Sequence, residues 1–130
     1  LELHQALEQK VASFKGTEAA VTFSSGYMAN VSAISALVGP NDTVITDALV
    51  HASIIDGCVL SRAARVRFAH NDLDQLEQKL ADPSLKGRRL VIVDAVYSMD
   101  GDIVDLPRVS ALCRKYGASL MVDEAHSIGV

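Results

Sequence analysis

Four short stretches of this chain place chemically capable residues where a strand gives way to a loop. The most specific is Leu120-Met121-Val122-Asp123-Glu124-Ala125-His126, an apolar run that closes on a carboxylate with an imidazole three residues on. A short apolar run of this kind reads as a buried parallel strand, and in an open α/β sheet ligands gather just past the carboxyl ends of such strands. Asp123 and His126 therefore stand where a ligand is expected. Ser24-Ser25-Gly26 lies just ahead of helical sequence. The free N–H groups and positive end of a helix favour a phosphate there, and Gly26 lets it approach the backbone closely. The same residues also suit a plain helix cap. His51 follows Asp47, the end of another predicted strand, by four residues, and on local grounds reads first as a helix cap or surface histidine. Asp94 closes a third apolar run with Ser98 just beyond it, and Asp100-Gly101-Asp102 completes a turn.

Residues 123–126 also spell the Asp-Glu-Ala-His box of helicases. An NTPase of that kind needs a Gly-rich loop of the form GxxxxGK[ST] to hold its phosphates. No lysine follows a glycine in a strand-to-helix turn, and a net charge of −4 with a pI near 5.4 offers no basic surface for nucleic acid.

Positioning these residues requires strands and helices in alternation. Leu3, Leu7, Val11 and Phe14 recur at helical spacing, with Gly16 suited to the C-terminal cap. Residues 19–23 read as a short strand, 27–37 as a helix, 43–47 as a strand, 51–63 as a helix and 66–68 as a brief strand. Asp72 suits the cap of a helix carrying Leu73, Leu76 and Leu80, and residues 90–93 form the most β-branched run. Pro107 fits the first turn of a helix over 106–116 that Gly117 ends, and a strand over 119–122 closes the series. The alternation predicts an α/β, three-layer αβα architecture with a mostly parallel sheet covered on both faces.

The chain has 130 residues, 49% of them hydrophobic, enough for one domain with a real core. Cys58 and Cys113 fit no metal or CxxC spacing and read as buried, reduced thiols, which points to a cytoplasmic protein. No apolar run approaches membrane-spanning length. Both ends are abrupt, so a partial chain is expected.

Taken together, Phe23-Ser24-Ser25-Gly26-Tyr27-Met28-Ala29-Asn30, His51-Ala52-Ser53-Ile54-Ile55-Asp56-Gly57, Tyr97-Ser98-Met99-Asp100-Gly101-Asp102 and Val122-Asp123-Glu124-Ala125-His126-Ser127-Ile128-Gly129 resemble the α-oxoamine synthases. These are pyridoxal-phosphate enzymes of the aspartate-aminotransferase fold. The resemblance runs in family order over essentially all of residues 1–130, and corresponds to the front part of the family's large domain.

That resemblance implies a set of roles. Ser25, Gly26 and Tyr27 would hold the cofactor phosphate, with the amides of Gly26 and Tyr27 at the helix N-terminus. His51 would stack on the pyridine ring, Asp123 would pair with its nitrogen, and His126 with Ser98 would reach its 3-oxygen. Asp94 matches a cofactor-site position that is commonly Glu in the family. The implied reaction condenses an amino acid with an acyl-CoA, in a protein that is a homodimer at full length. The family's Schiff-base lysine lies downstream in a Ser/Thr-rich motif, and none of Lys10, Lys15, Lys79, Lys86 or Lys115 matches it. The small C-terminal domain, with the arginine for the substrate carboxylate, is likewise outside this stretch, so the parent is expected to be the enzyme and the 130-residue piece inactive. Other readings are a lyase or aldolase of the same cofactor and fold, and a non-catalytic subunit.

Overall fold

Short strands that end in Asp or Phe pair side by side to form the centre of the molecule. The computed structural model describes residues 2–95 and 103–125. Its elements are α1 (Glu2–Lys15), α2 (Gly26–Leu37), β1 (Thr43–Asp47), α3 (Ala52–Ser61), β2 (Ala64–Phe68), α4 (Leu73–Leu80), β3 (Arg89–Asp94), α5 (Leu106–Tyr116) and β4 (Ser119–Asp123). The strands form one sheet in the order β2-β1-β3-β4, and every neighbouring pair is parallel.

Parallel strands are buried on both faces, so alternate residues feed two cores. Val44, Leu90 and Ile92 pack with Ile34, Val38, Ile54 and Cys58 from the α2 and α3 side. Ile45, Val91 and Val93 pack with Leu73, Leu76, Leu80, Val109 and Leu112 from the α4 and α5 side. The result is the expected αβα sandwich. From β1 the chain moves outward to β2 through α3, and from β3 outward the other way to β4 through α5. The strand order therefore reverses between β1 and β3, the crevice where open α/β sheets bind ligands.

Local chemistry explains the helix limits. Asp72 and Asp105 cap α4 and α5 by accepting the amides of Gln75 and Arg108 at 3.0 and 3.2 Å. Arg62 and Gly117 close α3 and α5 in the left-handed region, at φ +62° and +68°. Arg62 stops α3 two residues short of the predicted end at residue 63. Gly57 matters for a different reason: a Cβ there would meet Ile34 Cδ1 at 2.8 Å and the Val31 Cα at 3.3 Å. The bare backbone lets α3 lie against α2, and that close approach brings their polar residues together.

One expectation is corrected. Residues 19–23 form no strand. A strand needs a ladder partner, and here the Thr22 amide donates to the Glu8 carboxylate at 2.6 Å, while the Ala19 carbonyl accepts from the Thr17 hydroxyl at 3.1 Å. Helix α1 forms as predicted, but its apolar stripe does not enter either core. Leu3 and Phe14 are 81% and 77% exposed, and Ala12 is its one buried residue.

Candidate functional site

The site assembles at the carboxyl edge of the sheet. Helix α2 ends a few residues before β1 begins, so its N-terminus lies at the edge where β1 finishes. Twelve helical residues at ~1.5 Å each cover roughly the same distance as five or six strand residues at ~3.3 Å. Ser25 caps the helix, accepting the Met28 amide on its hydroxyl at 3.1 Å. The remaining first-turn amides, those of Gly26 and Tyr27, have no acceptor within the helix itself. A Cβ on Gly26 would meet nothing within 4 Å. This chain's own packing therefore does not demand glycine there. The Asp56 carboxylate on α3 raises the Tyr27 phenol pKa above its ordinary value.

Asp123 ends β4 and is half-buried. It pairs in register with Asp94, the buried end of β3, and both lie on the sheet face that carries α2 and α3. Among the described residues, each Asp123 oxygen accepts one hydrogen bond: Oδ1 from the Ala125 amide at 2.9 Å and Oδ2 from Asn30 Nδ2 at 3.2 Å. An ionised carboxylate has about four acceptor positions, so capacity remains for a ligand donor.

His51 sits at the N-cap of α3, exposed, with Nδ1 accepting the Ser53 amide at 3.1 Å. The capping role expected on local grounds is thus present. Ser53 Oγ lies 2.8 Å from the same nitrogen and accepts from Asn30 Nδ2 at 2.8 Å. Through Asn30 and Ser53, the two groups singled out in sequence, His51 and Asp123, join one hydrogen-bonded chain that starts one turn from the α2 N-terminus. Asn30 is four residues into the helix from Gly26, about 6 Å along its axis. Lys15, at the end of α1, pairs with Glu124 beside Asp123 at 2.5 Å, tying that helix to the loop after β4.

Ser98 and His126 lie outside the described residues. Asn30 and Ser53 carried no individual role in the sequence reading. Their signal was present as polar residues within two mostly apolar helices, at i+4 from Gly26 and i+2 from His51.

A pyridoxal-phosphate-type group needs an anion cradle, an acceptor for a ring N–H and a polar flat surface beside the ring. The open N-terminus at Gly26, the half-satisfied carboxylate of Asp123 and the exposed imidazole of His51 fit those needs.

The chain is similar to several known proteins. The aminotransferase class I and II family model matches residues 1–130. The 8-amino-7-oxononanoate synthase of Geobacter sulfurreducens is 58% identical over the whole chain, which covers 33% of that protein. A serine palmitoyltransferase from Sphingomonas wittichii superposes with a TM-score of 0.95 at 45% identity, covering 99% of this chain and 32% of that one. A serine palmitoyltransferase from S. paucimobilis, solved with a bound PLP-myriocin aldimine, gives 0.92 at 46% identity, covering 97% of this chain and 33% of that one. The chain spans about a third of the length of the relatives it matches. With the fold, the motifs and these likenesses in agreement, the chain belongs to the aminotransferase class I and II family, in its α-oxoamine synthase branch.

Proposed function

We propose that this chain forms the cofactor-binding part of a pyridoxal-phosphate-dependent acyltransferase that condenses an amino acid with an acyl-CoA to give an α-amino ketone. One observation carries the reading: Asp123 and His51, 72 positions apart in sequence, share a hydrogen-bonded chain next to the α2 N-terminus. When bound, pyridoxal phosphate supplies an electron sink for negative charge developing at the amino acid's α-carbon.

The protein's own residues supply binding, orientation and charge. Ser25 turns its hydroxyl inward to Met28, leaving the Gly26 and Tyr27 amides for the phosphate, where the helix dipole adds to the attraction. Asp123 holds a proton on the ring nitrogen by pairing with it as a carboxylate. His51, exposed at the N-cap of α3, would help hold the ring and contact the substrate carboxylate. By the family resemblance Ser98 and His126 would serve the 3-oxygen side, and Asp94, buried beside Asp123, would contribute to the same site.

The nucleophilic lysine is supplied from outside residues 1–130, because none of the five lysines here lies in a matching motif. The working protein is a cytoplasmic homodimer of longer chains. Two free buried thiols and the exposed apolar stripe of α1 support that reading. Among the described residues, no helix is long and apolar enough to cross a membrane.

Release of free CoA thiol by the full-length protein tests the activity. It should require both an amino acid and an acyl-CoA, and release with either alone overturns the assignment. Borohydride treatment of the 130-residue chain with pyridoxal phosphate should yield no single stoichiometric lysine adduct. One such adduct would show that the nucleophile lies within this chain.

A further inference from the structure

Donor and acceptor chemistry fixes the direction of every bond in the chain that links Asp123 to His51. The Asp123 carboxylate can only accept, so the Asn30 atom facing it is the amide NH2. That nitrogen carries two hydrogens, and it has two acceptors in reach, Asp123 Oδ2 at 3.2 Å and Ser53 Oγ at 2.8 Å. Ser53 Oγ accepts from Asn30 and has one hydrogen to give, and its remaining neighbour is His51 Nδ1 at 2.8 Å. The backbone amide of Ser53 donates to that same Nδ1 at 3.1 Å. With two donors converging on it, Nδ1 is the unprotonated nitrogen of the neutral ring, and the ring's only N–H is on Nε2.

We propose that Asn30 and Ser53 are positioning residues that hold Asp123 as an acceptor and His51 as an Nε2–H donor before any ligand arrives. This rests on the function proposed above and adds a chemical consequence. His51 meets the substrate through a hydrogen-bond donor, suited to a carboxylate oxygen, and it is not oriented to take a proton through Nε2. The double donation from one amide also couples the two groups: displacing Asn30 loosens both at once. The Asn30–Ser53 contact forms where Gly57 lets α2 and α3 approach, so helix packing ties a ring nitrogen already capped by its own helix to the Asp123 carboxylate.

The test uses the full-length protein labelled with nitrogen-15 histidine, first without ligand. His51 should show an Nε2–H tautomer with a hydrogen-bonded Nδ1. Asn30→Ala and Ser53→Ala should each move the Nδ1 resonance toward that of a less hydrogen-bonded nitrogen. An Nδ1–H tautomer in the wild type, or a His51 spectrum unmoved by Asn30→Ala, overturns the proposal. Asn30→Leu keeps the side-chain shape without donors, and serves if the alanine variant does not fold. Titration with pyridoxal phosphate gives a second readout. Each single variant should bind about tenfold more weakly, the weight of one hydrogen bond to a charged or polar partner. The double variant should bind no more weakly than the weaker single one, and a product of the two losses would mean independent roles and overturn the coupling. Should the wild type bind no pyridoxal phosphate, the functional reading fails on its own, and the ligand-free histidine spectrum still decides the hydrogen-bonded chain.

Discussion

Asp47 and Asp123 close strands of equal length in the same parallel sheet, yet they are built for different work. Asp47 is 1% exposed, and its carboxylate is saturated by the Leu49 amide at 2.8 Å, the Asn71 amide at 2.9 Å and His70 Nδ1 at 3.0 Å. It fastens the loops after β1 and β2 to each other. Asp123 is half-buried, accepts one bond per oxygen from the described residues, and faces α2 rather than α4. The difference is one of parity. Thr43, Ile45 and Asp47 point to the α4 and α5 face, whereas Met121 and Asp123 point to the face with the helix N-terminus. A carboxylate at a strand end becomes a ligand group when its face and its remaining lone pairs are open to a ligand, and a structural clamp when they are not.

Substitutions can break this contrast in order of expected effect. Asp123→Asn in the full-length protein should lower turnover about a thousandfold while the fold and cofactor are retained, since the amide cannot keep a proton on the ring nitrogen. Steady-state kinetics with an absorbance check of bound cofactor measures it, and unchanged turnover would remove Asp123 from the chemistry. Asp47→Ala should instead cost about 3 kcal/mol of stability, because two backbone amides and His70 lose their acceptor in a buried place. Chemical denaturation reads this out, and a stable Asp47→Ala protein with impaired cofactor binding would erase the distinction. Gly26→Ala sharpens the picture from the other end of the site. Stability should change by less than about 1 kcal/mol, since the added methyl meets no neighbour, while pyridoxal phosphate binding weakens about tenfold.

The smallest effect concerns a third carboxylate at the opposite edge of the sheet. The amides of Arg88 and then Gly39 hold Asp42 below the usual carboxylate range, with the Arg88 guanidinium adding to them. A depressed pKa gives stability that is complete above the unfolded value, ~4, and disappears as the pH falls through the folded value. Melting temperature should therefore drop on acidification, and Asp42→Asn should flatten that slope without affecting cofactor binding. An unchanged slope would show that the Asp42 clamp contributes nothing.

The fold was largely legible because its strands and helices announce themselves by period. The β-branched run before Asp94 and the spacing of Leu73, Leu76 and Leu80 dictate local structure whatever surrounds them. Residues 19–23 misled because a strand is defined by its neighbour, and Thr22 found a glutamate side chain instead. Helix α1 forms as its period predicts, yet its apolar stripe stays exposed, because period sets local conformation and not what covers a face.

Sequence alone determined the alternation of elements, the capped start of α2 at Ser25 and Gly26, and the placement of Asp123 and His51 after strand ends. These follow from side-chain period and from which groups a helix terminus leaves unpaired. Tertiary structure decided which strand-end carboxylate is saturated and which is open. It also placed Asn30 between Asp123 and Ser53, because hydrogen-bond partners depend on the approach of α2 to α3, a distance set by the missing side chain of Gly57 and not written in the order of residues.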